Sequence, residues 1–184
     1  MTTEKTPATS PEDAKPCIRC GYRADGDAKP NEEDRKEYLR CLLGGKLYQK
    51  TFPLYDGQFS ITFRQTSNRE VETINGLLFK LASAEKNYAF AEDISLKLKM
   101  MIGLVELKTS NGPLGKVGAV ELDLTKDCDT LVAEVNRMYA ERFGALPEAV
   151  SHLMGRTFVM FNDIQTLLIR SGFDEDFWKG AGLR

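Results

Sequence analysis

A long apolar stripe near the end of the chain constrains the fold most strongly. Apolar side chains recur there at spacings of three and four residues, which places them on one face of a helix. They are Val150, Met154, Phe158, Phe161, Ile164 and Leu168. Pro147 precedes the stripe, at the first-turn position where proline is best tolerated, and Gly172 follows it. The pattern predicts a long amphipathic helix that buries this face.

A second helix is predicted directly before the first. Thr125 or Asp127 caps it, and Gly144 ends it. Its predicted inward residues are Leu131, Val135, Met138 and Tyr139. Because only three residues separate the two helices, we expect them to pack together.

Residues 47–64 show the pattern of two strands. The runs 47–54 and 58–64 flank Tyr55-Asp56-Gly57, and Asp-Gly between such runs is typical of a hairpin. In the second run Phe59, Ile61 and Phe63 alternate with polar residues, which gives one apolar face. Pro53 restricts the first run to the edge of a sheet.

Three further segments favour helices. Asn31 caps the first, which ends at Gly44-Gly45, and Ser67 with Glu70 forms a capping box for the second. Their predicted apolar faces are Tyr38, Leu39, Leu42 and Leu43 in the first helix, and Val71, Ile74, Leu78 and Leu81 in the second. Residues 88–107 fit a strand and a helix equally well, and their length favours a helix. Residues 105–107 and 119–124 could also pair across the loop between them.

The chain therefore reads as an α+β protein, with a mostly helical body that carries a small antiparallel β-hairpin. We expect residues 1–30 to form a flexible N-terminal arm, and residues 31–184 to form a single domain. The composition, 42% hydrophobic and 28% charged, is that of a globular protein. No apolar run reaches 18 residues and the N-terminus lacks the apolar core of a signal peptide, so we expect no membrane segment and no export.

The arm carries the most specific local motif, Cys17-x-x-Cys20 followed by Gly21. Two thiolates at this spacing form a knuckle that can hold a zinc ion. We expect one structural zinc with Cys17, Cys20 and Cys41 as ligands. Cys128, His152, an acidic residue or a residue of a neighbouring subunit remain open as the fourth ligand. The competing interpretation is that Cys17 and Cys20 are loop thiols and Cys41 a small buried apolar residue.

No catalytic motif is evident, so we expect a protein that is not an enzyme. The sequence contains neither Gly-x-Ser-x-Gly, nor a phosphate-binding glycine loop, nor paired histidines; His152 is its single histidine. Beyond the last predicted helix lie three aromatic side chains among acidic residues and glycines, and aromatic anchors are common in protein interfaces. We expect these three, Phe173, Phe177 and Trp178, to bind a partner protein; the alternative is that they fold back on the core.

Residues 33–74, EDRKEYLRCLLGGKLYQKTFPLYDGQFSITFRQTSNREVETI, resemble small tail and baseplate morphogenesis proteins of tailed bacteriophages. The shared pattern is a helix ending in LLGGK, a hairpin, and FRQTSNRE, in which an aromatic-Arg strand end leads into a Ser-capped helix. The resemblance implies a virion protein of the baseplate hub or a tail assembly chaperone. It implies protein–protein contacts rather than catalysis.

The partners that the resemblance implies are other tail or baseplate proteins, including the tape-measure protein. The implied location is the host cytoplasm during assembly, and the virion tail for a hub component. The alternative is a zinc-containing regulatory protein that binds nucleic acid through residues 15–40. Seven basic and six acidic residues nearly balance there, and the net charge of the chain is −2. Nucleic acid is therefore the less favoured partner.

Overall fold

Five helices and a four-stranded antiparallel sheet make up the part of the chain that the computed structural model describes, residues 30–114 and 117–172. The elements are α1 (Glu32–Leu43), β1 (Gln49–Leu54), β2 (Phe59–Arg64), α2 (Asn68–Ser83), α3 (Tyr88–Gly103), β3 (Leu104–Thr109), β4 (Gly112–Pro113), α4 (Cys128–Phe143) and α5 (Glu148–Ser171). The predicted α+β class, a helical body with an antiparallel hairpin, is confirmed. Apart from Pro30, the predicted arm lies outside the described residues.

The helices begin where the sequence predicts. The Asn31 side chain accepts a hydrogen bond from the amide of Asp34, whose carboxylate accepts one from the amide of Asn31. Ser67 and Glu70 make the same reciprocal arrangement at the start of α2, and Asp127 caps α4. Each cap satisfies amide groups that have no partner inside the helix.

The sheet has the order β1-β2-β3-β4, so the predicted hairpin lies at one edge and Pro53 lies in an edge strand, as expected. The predicted helix over 88–107 is wrong at its end, because the chain becomes extended at Leu104. Beside this point Gly103 packs against the Phe158 ring and the carbonyl of Arg64, where a Cβ would lie 3.3 and 3.4 Å from them. Residues 104–109 pair with β2 and β4, and residues 119–124 form no strand.

The core lies between the sheet and the helices. The α5 stripe is buried from Met154 to Leu168 as its spacing predicts, with the Phe158 ring 5.1 Å from that of Phe63 in β2, whereas Val150 at its start is only partly buried. The expected pairing of α4 with α5 is not the main contact of either helix. The principal neighbour of α4 is α3, whereas α5 lies against β2. The two helices are close in sequence, but α5 places Phe158 and Phe161 against Phe63 of β2.

The predicted apolar faces of α1 and α2 need correction. Leu42 and Leu43 are 51% and 64% exposed, because the inward face of α1 is set by Asp34, Tyr38 and Cys41 at helical spacing. In α2 the half-exposed Val71 does not reach the core. Ile74, Leu77 and Leu81 are its buried residues.

Candidate functional site

The FRQTSNRE segment forms an ionic clamp between β2 and α2. The Arg64 guanidinium donates two hydrogen bonds to Glu70, at 2.9 and 2.6 Å, in a bidentate arrangement. The same carboxylate accepts hydrogen bonds from the amide and hydroxyl of Ser67, at 2.7 and 2.8 Å. These donors lower the pKa of Glu70 to about 2, with the hydrogen bond from Arg64 as the largest cause. The segment thus fixes the start of α2 to the sheet.

The clamp predicts a loss of stability in acid. Glu70 has a lowered pKa in the folded state, so its contribution is complete above the ordinary carboxyl value of 4.5 and is lost as pH falls towards about 2. With the carboxyl side chain 26% exposed, we expect a contribution of about 2 kcal/mol. Urea denaturation between pH 5 and pH 2.5 would measure it, with Glu70→Gln flattening the profile and the exposed Glu72→Gln leaving it unchanged. Identical profiles for Glu70→Gln and the parent chain would contradict the prediction.

A second buried ionic group joins α1 to β1. The carboxylate of Asp34 accepts a hydrogen bond from the Tyr48 hydroxyl at 3.0 Å and pairs with the Lys50 ammonium. Tyr48 is 1% exposed, and burial, followed by the charge of Asp34, raises the pKa of its hydroxyl. A polar cleft of about 600 Å³ opens beside this group. The Asp34 carboxylate already accepts hydrogen bonds from three donors, the Asn31 amide, the Tyr48 hydroxyl and the Lys50 ammonium. We therefore interpret the group as a structural connection between α1 and β1.

Cys41, one of the expected zinc ligands, lies buried on the inner face of α1. Its thiol donates a hydrogen bond to the carboxylate of Glu37 at 3.6 Å, and burial raises its pKa, with a further contribution from Glu37. The other two expected ligands, Cys17 and Cys20, lie outside the described residues. Within residues 30–114 and 117–172, no group of three His, Cys, Asp or Glu side chains is arranged to hold a metal ion. The zinc site stays a prediction.

His152 lines an open cleft of about 630 Å³ between α3, α4 and α5. Its floor is apolar and includes Leu96, Met100 and Met160. The Lys97 ammonium, at the rim, is held by Asp93 at 2.7 Å and by the side-chain oxygen of Asn136 at 3.1 Å. It also lies 5.9 Å from the centre of the Tyr139 ring. These contacts hold Lys97 in place and give the cleft a fixed, mainly apolar lining.

Three exposed aromatic side chains flank the connection between α2 and α3, and they were not expected from the sequence. Phe79 is 74% exposed, Tyr88 81% and Phe90 38%, and the alanines at 82, 84 and 89 are exposed between them. We call Phe79, Tyr88 and Phe90 the aromatic tip. Sequence reasoning did not identify it, although Phe79 lies outside the predicted apolar face of its helix. An aromatic residue on the polar side of an amphipathic helix was the available signal.

A cleft of about 520 Å³ lies beside Phe79. Gly76, Phe79 and Ser83 line it from α2, and Leu124 and Cys128 line it from the opposite side. Leu124 packs so closely on Gly76 that an added Cβ would lie 2.6 Å from its Cδ1. Cys128 is half-buried in this wall, in keeping with a packing role. An exposed aromatic ring therefore adjoins an apolar recess on the same surface.

The expected partner-binding residues Phe173, Phe177 and Trp178 lie outside the described residues, and their role stays a prediction. Among the helices of residues 30–114 and 117–172, none combines the length and apolarity needed to cross a bilayer. Comparisons of the chain with known protein families, with curated proteins and with solved structures found no match.

Proposed function

We propose that this chain is a non-enzymatic protein of bacteriophage tail morphogenesis. It acts through protein–protein contacts, as a baseplate hub component or as a tail assembly chaperone. The observation that carries the proposal is the aromatic tip. Exposed aromatic side chains are typical of interaction sites, where aromatic anchors supply much of the binding free energy, and three of them lie within twelve residues of each other here.

The architecture supports the same proposal. The segment that resembles tail morphogenesis proteins, residues 33–74, forms α1, the hairpin and the first half of α2. The Arg64–Glu70 clamp fixes the start of α2, and Phe79 lies on the same helix about two and a half turns further along. A helix held at its base presents Phe79 in one orientation. Preorganisation of this kind lowers the entropic cost of binding.

The partners, the location and the metal expected from the sequence are part of the same proposal. The partners are other tail or baseplate proteins, including the tape-measure protein, and the place of action is the host cytoplasm, with the virion tail added for a hub component. Phe173, Phe177 and Trp178 add further contacts to these partners. Zinc bound by Cys17, Cys20 and Cys41 stabilises the arm, because the free energy of metal binding becomes folding free energy.

Deletion of the gene from the phage that encodes it tests the proposal. We expect the deletion to give particles without functional tails under the electron microscope, and the intact chain supplied in trans to restore them. Mass spectrometry of purified virions then separates the two roles, because a hub component remains in the particle and a chaperone does not. Normal tails in the absence of the gene would refute the proposal.

The aromatic tip has its own test in the same assay. We expect Phe79→Ser with Tyr88→Ser to abolish complementation, because the exposed rings are the contact surface, while the circular dichroism spectrum stays unchanged. Ile169→Ser is the matched control, since this side chain is also apolar and 39% exposed but lies on α5. Equal complementation by the tip variant and the control would show that the tip is not the contact surface.

A further inference from the structure

We infer that residues 173–178, the acidic and aromatic segment that follows α5, bind in the open cleft between α3, α4 and α5 when the chain is free of partners. The inference goes beyond the proposed function, because it concerns the chain before Phe173, Phe177 and Trp178 meet another protein. The occupant of the cleft is thus a segment of this chain that lies outside the described residues.

One continuous face of α5 leads from the cleft to the end of the helix. Arg156 and Val159 lie on this face and line the cleft. Asp163 and Arg170 continue it at steps of four and seven residues, which return to the same side of a helix, and all four side chains are exposed. A segment that turns back after Gly172 and follows this face therefore arrives in the cleft.

The segment has the length that this path needs. From Gly172 back to Val159 the axis of α5 advances about 20 Å, at 1.5 Å for each residue. The six residues 173–178 span about 20 Å when they are extended. Trp178 is therefore the residue that reaches the near end of the cleft, where Val159 is 49% exposed and Met160 lines the wall.

The cleft offers a surface suited to an aromatic ring. Its floor includes Leu96, Met100 and Met160, and Val159 adds an exposed apolar side chain at its edge. Packing on such a surface removes both the ring and the floor from water, and methionine sulfur atoms make favourable contacts with aromatic rings. The aromatic end of the segment thus meets the apolar part of the path.

Charge favours the same arrangement. Residues 173–178 contain three acidic side chains and no basic one. The face of α5 that they would follow carries Arg170 at its start and Arg156 at its end, with Asp163 as the acidic residue between them. The path thus has a net positive charge, opposite to that of the segment.

Tryptophan fluorescence tests the inference, because Trp178 is the single tryptophan of the chain. We expect the full chain to emit at a shorter wavelength than the same chain in urea, and acrylamide to quench this emission less. Val159→Asp places a carboxylate in the path of the acidic segment and should shift the emission to the wavelength of the unfolded chain. Ile169→Asp is the matched control. Ile169 is also an exposed apolar residue of α5 but lies outside the cleft, so the emission should stay unchanged.

Circular dichroism establishes that both variants keep the fold. Emission of the parent chain at the unfolded wavelength would overturn the inference, and so would a shorter-wavelength emission that Val159→Asp does not alter. An emission maximum that moves with protein concentration would also overturn it, because the segment would then bind a second copy. These measurements use the isolated chain, so their failure leaves the proposed function to be decided by complementation.

Discussion

Phe158→Ala is expected to lower the free energy of unfolding by about 3–5 kcal/mol. Phe158 is 3% exposed and lies in the middle of α5, where its ring meets Phe63 of β2 edge to face. It also packs against Gly103, the point at which α3 gives way to β3. Removal of the ring leaves a cavity at the junction of helix and sheet. The cavity is bounded by β2 and by the backbone at Arg64 and Gly103, and this backbone cannot easily move inward to fill the cavity.

Val159→Ala is the matched control for this substitution. Val159 is the next residue of the same helix, but it is 49% exposed, so its truncation should change stability by less than about 0.5 kcal/mol. Denaturant unfolding of both variants, followed by circular dichroism, gives the comparison. Equal midpoints for the two variants would place Phe158 outside the core.

The parts of the fold that depend on neighbouring residues were predictable. Asn31, Ser67 and Asp127 cap their helices through side chains within three positions along the chain, so the sequence alone carries the signal. The α5 stripe and the hairpin have the same local character. The polar-side position of Phe79 was also readable in principle, although exposure on a folded surface identifies the aromatic tip much more clearly.

The parts that depend on distant residues were not predictable. The end of α3 is one example, since residues 94–102 fit both periods. Pairing with β2, some forty residues earlier in the chain, makes the following segment a strand. The preference of α5 for the sheet over α4 is a second example. In each case contacts with a distant part of the chain decide between two local structures that the sequence permits equally well.

Asp34 is a single residue whose role could not be predicted from the sequence, because it depends on distant residues. From the sequence it belongs with Glu32 and Glu33, as one of three acidic residues that favour the first turn of α1. In the fold only Asp34 is buried, and its partners are 14 and 16 residues away along the chain. The helix period determines this difference, because Asp34 shares the inward face with Tyr38 and Cys41. Its function is therefore to connect α1 to β1, in addition to capping the helix.

Asp34→Ala is accordingly expected to destabilise the protein by about 3–5 kcal/mol, far more than the loss of a helix cap alone, which costs about 1 kcal/mol. The substitution leaves the Tyr48 hydroxyl without its acceptor in a fully buried position and the Lys50 ammonium, whose side chain is 20% exposed, without its counter-ion. Glu33→Ala, one position earlier and exposed, is the control and should change stability by less than about 0.5 kcal/mol.

Two companion variants separate the contributions of Asp34. Asp34→Asn keeps an acceptor for Tyr48 but removes the charge that pairs with Lys50, so it should fall between the parent chain and Asp34→Ala. Combining Asp34→Ala with Lys50→Met removes both charges and should recover part of the loss, because an unpaired buried charge is more costly than an apolar side chain at the same place. Denaturant unfolding of the four proteins measures these differences. If Asp34→Ala costs no more than Glu33→Ala, Asp34 acts as a surface residue and the connection between α1 and β1 depends on other contacts.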